Sequence, residues 1–513
     1  MVPFFFRQRV ALGVFVIIAL ISAIPQPNTF WSPYYRIDLE EVPPPPGWPH
    51  PAAYLLSVNH DYHQKPVDLS TAFMARYPLA EPNHSARETY ELPYELVRNP
   101  GEVLIVGAGT GNDVASALRH GATHVDAVEI DPVILELGRR YHPERPYDSP
   151  RVTIYVDDAR AFFKKAKTKY DLIVFGYLDS HTMLTSFSSV RLDNYVYTIE
   201  SLREARALLR EGGSVVLAFA TGREFVYERL FATLTSAFST PPRAYFTGYD
   251  VDGVVFLEGT ARSTQPGHFR ELTATLQSAR QTAIVATDRW PFLYLASRTI
   301  PRSILWVLVL FLAGSGLLVH RMIGLPSLTS RDPMHLFFLG AGFMLLETKA
   351  VTELALLFGS TWVVNAVVIG AFLTMALAAN AFIIHRPISR RTAYAGLFVA
   401  LAASTLFPYS TLDALSGPVK VLISGIVVGL PVLFSGLVFS RSFRDVEHPA
   451  RALGVNLLGA IVGGALENVV MLGGTPVLGV LAIVLYGLSW VVASKQRLET
   501  AQPSVAPVET HAS

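Results

Sequence analysis

The chain has 513 residues, 51% of them hydrophobic and 16% charged, with no cysteine and a formal net charge of +1. It is too long and too apolar for one ordinary soluble domain. Its 42 basic and 41 acidic residues leave no net field to hold nucleic acid, and the missing thiols exclude disulfides and thiolate metal sites.

The first apolar run, residues 10–24, follows Arg7 and Arg9. It reads as an uncleaved transmembrane anchor within 1–25, with a secretory signal as the competing reading. A linker is expected over 26–49, stiffened by Pro43, Pro44, Pro45 and Pro46, whose rings fix φ and keep the chain out of a helix.

From residue 102 to 257 short β-rich runs alternate with amphipathic helical stretches: VLIV at 103, VDAVEI at 125, VTIYV at 152, LIVFGYL at 172 and SVVLAFA at 214. Such alternation predicts a doubly wound α/β domain, a parallel sheet with helices on both faces. The first strand runs into Gly107-Ala108-Gly109-Thr110-Gly111-Asn112-Asp113. Glycines on alternate positions let the backbone turn tightly and approach a ligand, and the helix that follows offers free N–H groups. Glu129 ends the second strand, where a carboxylate can accept from both ribose hydroxyls, and Asp158-Ala159 closes the third. Features at successive strand ends point to one crevice at a switch point of the sheet.

Seven further apolar runs follow, at about 303–319, 335–357, 361–384, 393–407, 418–439, 453–472 and 476–492. Most approach the ~20 residues that span a bilayer core. An all-α multi-pass transmembrane bundle is therefore expected over 299–494, with a disordered tail at 495–513. With the N-terminus inside, the inner segments carry Arg321 and Arg331, then Arg386, Arg390 and Arg391, then Arg441, Arg444 and Arg451, then Lys495 and Arg497. The intervening loops 359–360, 409–417 and 473–475 carry no arginine or lysine. Arg36, Arg298 and Arg302 flank the soluble part on the opposite side and weaken this bias without reversing it. The distribution puts the soluble part outside.

Inside the apolar runs stand Glu347, Lys349 and Glu353, and Glu467 with Asn468. Such groups are expected to line a polar cavity of the bundle; the competing reading is a bridge from Lys349 to Glu467 or Glu353 that only fixes packing.

GAGTGND, VEIDPVILELGRRYHP, PRVTIYVDDARAFF, YDLIVFGYLDS and VYTIESLREARALLREGG resemble the spermidine synthase superfamily, over roughly residues 50–260, in its membrane-embedded bacterial branch. TDRWPFLYL at 287 and the segment from Gly340 resemble that branch's membrane half. The resemblance implies a methyltransferase-type Rossmann domain over 96–298, preceded by a small β-rich lid at 50–95. It implies that Gly107, Gly109 and Gly111 cradle the amino-acid or aminopropyl end of S-adenosylmethionine or its decarboxylated form. Glu129 would then hold the ribose with Asp131 close behind, and Asp158-Ala159 the adenine. Acceptor-side residues by the same resemblance are Gln64 of the lid, Tyr90 or Tyr94, Asp193 and Tyr197.

Two departures matter. Thr110 stands where soluble aminopropyltransferases carry an aspartate, and Gly176 replaces the aspartate that usually meets the attacking amine. Asp179 and His181 are the remaining candidates for the base an amine nucleophile needs. His60 and His63 lack a third ligand at a convincing spacing, so no metal is expected.

The expected function is S-adenosyl-dependent transfer of an aminopropyl or methyl group to an amine, by a multi-pass protein of the bacterial inner membrane. The alternative is a catalytically degenerate nucleotide- or polyamine-binding module coupled to a multi-span transporter or sensor. Expected partners are a small amine acceptor and the lipid bilayer, not nucleic acid; a homodimer is compatible with the resemblance. S-adenosyl donors are made in the cytosol, which conflicts with an outward-facing soluble part.

Overall fold

The computed structural model describes residues 13–17, 20, 26–48, 50–77, 83–178, 192–249, 252–260, 266, 268–279, 283–323, 331–386, 388–444 and 446–500. Most of the first apolar run lies outside them. The chain divides into two compact units, 1–156 with 174–185 and 157–173 with 186–513.

The first unit opens with a four-stranded antiparallel sheet: β1 (Thr29–Trp31), β2 (Arg36–Val42), β3 (Ala53–Val58) and β4 (Asp61–Gln64). Strands β1 and β2 occupy the stretch expected to be a linker. The alternation in RIDLEEV explains the difference. Ile37 and Leu39 point inward with Leu56 and Val58 and pack on Ile134 and Leu137, so the period-2 pattern outweighs the prolines that follow. Asn59 and His60, both at positive φ, form the β3–β4 turn. Helices α1 (Thr71–Arg76) and α2 (Asn83–Leu96) come next.

Strands β5 (Glu102–Val106), β6 (His124–Glu129) and β7 (Val152–Val156) pair in parallel, with α3 (Asn112–Arg119) and α4 (Pro132–Tyr141) as the crossovers. Helix α4 starts where Asp131 accepts from Val133 N–H and Ile134 N–H, with Pro132 in the first turn, a strong start signal. The eight-stranded sheet has the order β12-β10-β11-β9-β8-β5-β6-β7. Here β8 is Tyr170–Phe175, β9 Leu209–Phe219, β10 Arg243–Phe246, β11 Val254–Gly259 and β12 Arg270–Glu271. Strand order reverses between β5 and β8, as expected of a doubly wound sheet. The last three strands are antiparallel.

In the second unit α5 (Ala159–Lys165) is capped by Asp158, α6 (Ile199–Ala207) by Thr198, and α7 (Glu224–Phe238) and α8 (Thr273–Ala279) follow. Every one of the seven later apolar runs is helical: α9 (Arg302–Ile323), α10 (Arg331–Phe358), α11 (Trp362–His385), α12 (Arg390–Leu406), α13 (Gly417–Arg444), α14 (Pro449–Leu466) and, after the single turn α15 (Val470–Gly473), α16 (Pro476–Thr500). Among the described residues five segments are long and apolar enough to cross a membrane. The two that fall short are α10, with Glu347, Lys349 and Glu353, and the 17-residue α12. Helix α16 runs through Thr500, into the stretch expected to be a tail.

The helices are joined by polar knots. His335 contacts Ser489 Oγ (2.9 Å) and Ser442 Oγ (2.7 Å), with the Tyr394 hydroxyl 2.7 Å from Ser489 Oγ. The three loops without arginine all meet the soluble part of this unit. Ser360 N–H donates to Asp158 Oδ2 (3.1 Å), Lys164 Nζ lies 3.4 Å from Asp413, and Thr475 N–H donates to the Arg289 carbonyl (2.8 Å).

Candidate active site

The glycine loop is held from behind. The N–H groups of Gly107 and Ala108 both donate to the Val128 carbonyl at 2.9 Å, and the Tyr147 hydroxyl donates to the Gly109 carbonyl at 2.7 Å. Gly107 and Gly109 both take positive φ (+73° and +54°), and their missing side chains leave room for Leu178 and Gln64. Gly111, also at positive φ, is the N-cap of α3. The loop can carry no side chain at these points and keep its path.

Glu129, 7% exposed, sits at the end of β6. Its Oε2 accepts Gly109 N–H at 2.8 Å and its Oε1 accepts Asp131 N–H at 2.9 Å. The N–H groups of Gly109 and Asp131, with that of Ile130 as a weaker third contact, thus fix the carboxylate against the glycine loop. Burial raises its pKa to about 7 against these hydrogen bonds. A ligand diol, such as a ribose, would donate to the ionised form, so protonation would compete with its binding. Affinity for methylthioadenosine is expected to be flat above about pH 7 and to weaken by up to about tenfold per unit below it; a series of titrations across that range checks this.

Asp131 is fully buried as the cap of α4, and its Oδ2 has no hydrogen-bond partner among the described residues. Thr110 N–H and Oγ1 both donate to Gln64 Oε1 at 2.9 Å. Two donors on one oxygen fix the amide orientation. The donor Nε2 is then left 2.9 Å from where a Gly109 Cβ would stand.

The two candidate tyrosines differ in kind. The Tyr90 hydroxyl accepts from Asn112 Nδ2 (3.2 Å), and Asn112 also donates to the Lys65 carbonyl (2.9 Å) and accepts from Val67 N–H (3.3 Å). His142 completes this knot. Burial lowers its pKa to about 3, so the neutral ring donates from Nε2 to Asn112 Oδ1 (3.0 Å) and accepts Glu144 N–H at Nδ1 (3.1 Å). Tyr94 instead stacks on His120, and its buried hydroxyl has no hydrogen-bond partner among the described residues.

Asp158 and Ala159 begin α5 in the second unit. Asp158 Oδ1 accepts Ala161 N–H (3.0 Å) in addition to the Ser360 contact on Oδ2, and burial raises its pKa against those bonds. Tyr197 is buried edge-on to Phe219. Asp179 and His181, and the side chain of Asp193, lie outside the described residues. In the helical part Lys349 Nζ lies 3.8 Å from Glu353 and 3.4 Å from the Ser404 carbonyl. Glu467 accepts from Thr348 Oγ1 (2.8 Å), Asn468 donates to the Ala465 carbonyl (3.1 Å), and Glu347 is half-buried on α10.

A residue that sequence reasoning passed over is Asp113, in the first turn of α3. Its carboxylate lies over Gly176, where a Cβ would stand 2.8 Å from Oδ2, and burial raises its pKa to about 7. The only signal in the sequence is an acid directly behind the glycine loop.

Residues 85–228 match the spermine/spermidine synthase domain family. The chain carries a spermidine-synthase-like domain. It is similar to the polyamine aminopropyltransferase of Korarchaeum cryptofilum, 31% identical over 123 residues, which are 23% of this chain and 36% of that protein. It is also similar to that of Vibrio vulnificus, 34% identical over 145 residues, 27% of this chain and 44% of that one. The chain thus spans less than half the length of these relatives. A probable spermidine synthase structure from Corynebacterium glutamicum is 16% identical with a TM-score of 0.35, covering 51% of this chain and 96% of the other.

Proposed function

We propose that the protein is a membrane-bound transferase that moves a group from an S-adenosyl donor to an amine. The observation that carries this reading is Glu129, a buried carboxylate fixed by backbone N–H groups beside the glycine loop. That geometry suits a ribose diol. The aminopropyltransferase relatives support an amine as acceptor.

Aminopropyl transfer is the first reading of the chemistry. One observation favours methyl transfer: Thr110 and Gln64 present a neutral pair and an amide donor beside Gly109, which suits a donor that keeps its carboxylate. Calorimetric titration of the full-length chain with S-adenosylmethionine, its decarboxylated form and methylthioadenosine tests both. Binding is expected, and tighter binding of the carboxylated donor selects methyl transfer. No binding to any of the three removes the transferase reading and leaves a module without a nucleoside ligand.

The soluble part is assigned to the side opposite the arginine-rich loops. The contacts of loops 359–360, 409–417 and 473–475 with the soluble part support this side. Because the chain has no cysteine, single cysteines report sidedness cleanly. Thr168→Cys should react with a membrane-impermeant maleimide in intact cells, and Thr392→Cys should react only after lysis. The opposite pattern would put the soluble part in the cytosol and reverse the arginine argument.

A further inference from the structure

Asp113 complements the N-terminus of α3, but that does not account for where its carboxylate points. It lies in the first turn of α3, whose N-cap Gly111 offers no side chain, yet its carboxylate leans over the end of β8. A Cβ on Gly176 would stand 2.8 Å from Asp113 Oδ2 and 3.4 Å from the Gly107 carbonyl oxygen. The carboxylate therefore fills the place a side chain at 176 would take, beside the first turn of the glycine loop. Among the described residues it accepts one hydrogen bond, from its own backbone N–H, and no ion pair reaches it.

Two ionisable groups feel its charge, from two segments. Burial first, and then the charge of Asp113, raise the pKa of Tyr94 on α2; for Tyr147 behind the loop burial comes first, then Glu129, then Asp113. The Tyr94 hydroxyl is buried without a hydrogen-bond partner among the described residues. A half-buried carboxylate with an open acceptor oxygen is an acceptor for the N–H groups of an amine. Burial also brings its pKa to about 7, near the value at which a base works best at neutral pH.

We propose that Asp113 is the catalytic base of this site, holding the acceptor amine and taking its proton from across the crevice, at the position Gly176 leaves open. This rests on the transferase reading above. The amine lone pair attacks the carbon bonded to the sulfonium. The N–C bond forms as the C–S bond breaks, its electron pair goes to sulfur, and the donor leaves as a neutral thioether. The proton released from nitrogen passes to Asp113 Oδ2.

The test uses the full-length chain in detergent, with putrescine as acceptor and either S-adenosylmethionine or its decarboxylated form as donor. Asp113→Asn should lower kcat by about a hundredfold or more and leave methylthioadenosine affinity within about twofold. The double variant Asp113→Ala with Gly176→Asp, which returns the carboxylate from the strand side, should recover at least about tenfold over Asp113→Ala alone. Gly176→Asp by itself should be impaired, because two carboxylates then share one space. An active wild type whose Asp113→Asn variant keeps kcat within about threefold overturns this assignment alone. So does a swap that binds methylthioadenosine and recovers nothing. A wild type inactive with both donors that also fails to bind methylthioadenosine overturns the transferase reading, and this assignment with it.

Discussion

Glu129→Ala is expected to weaken methylthioadenosine binding by at least about a hundredfold. In the proposed site the substitution removes the acceptor of two ribose hydroxyls, and each hydrogen bond to a charged group is worth about 1.5–3 kcal/mol. Two such bonds correspond to two or more decades of affinity, at about 1.4 kcal/mol per decade. It also orphans the Gly109 and Asp131 N–H groups, both now satisfied by the carboxylate, so the glycine loop loses its brace. Glu129→Gln should lose nearly as much, since an amide can accept from only one of those donors and would turn its own N–H groups toward the other. Calorimetric titration of the full-length chain checks both variants, and wild-type affinity in Glu129→Ala would mean that the nucleoside binds elsewhere.

The second large effect is in the helical part. Helices α10 and α14 touch backbone to backbone: a Cβ on Gly459 would stand 2.0 Å from the Phe337 carbonyl oxygen, one on Gly463 2.4 Å from that of Ala341, and one on Gly340 2.1 Å from that of Asn456. Small residues four apart allow this approach. A backbone carbonyl cannot rotate away as a side chain can, so Gly459→Leu must push the helices apart. Such overpacking costs about 1–3 kcal/mol or more, and a fall in Tm of about 5–10 °C is expected. Gly464 is the internal control. A Cβ there meets nothing within 4 Å, and Gly464→Leu should leave Tm nearly unchanged. Equal effects of the two substitutions in a thermal melt would contradict this packing.

How much of this was legible depends on the range of the interaction. The strands and the glycine loop announce themselves locally, through short β-branched runs, alternate glycines and an acid at each strand end, and the sheet follows from them. The pair β1–β2 was masked because prolines dominate residues 43–46, although Ile37 and Leu39 already alternate with polar neighbours. Tyr90 and Tyr94 are one helical turn apart and look alike in sequence; only the fold gives Tyr90 to Asn112 and leaves the Tyr94 hydroxyl without a partner among the described residues. Asp113 reads locally as an acid at a helix N-terminus, a favourable place for it, and its approach to Gly176 depends on how two distant segments meet. The i,i+4 spacing already pairs Lys349 with Glu353, whereas only the rotation of α10 decides that Glu467 takes Thr348.

The most direct measurement is an experimental structure of the full-length chain with methylthioadenosine bound. The ribose hydroxyls should lie about 3 Å from the two oxygens of Glu129, the usual hydrogen-bond separation, with the thioether end over residues 107–111. A nucleoside bound away from that carboxylate, or Glu129 turned out to solvent with the loop unchanged, would contradict the account.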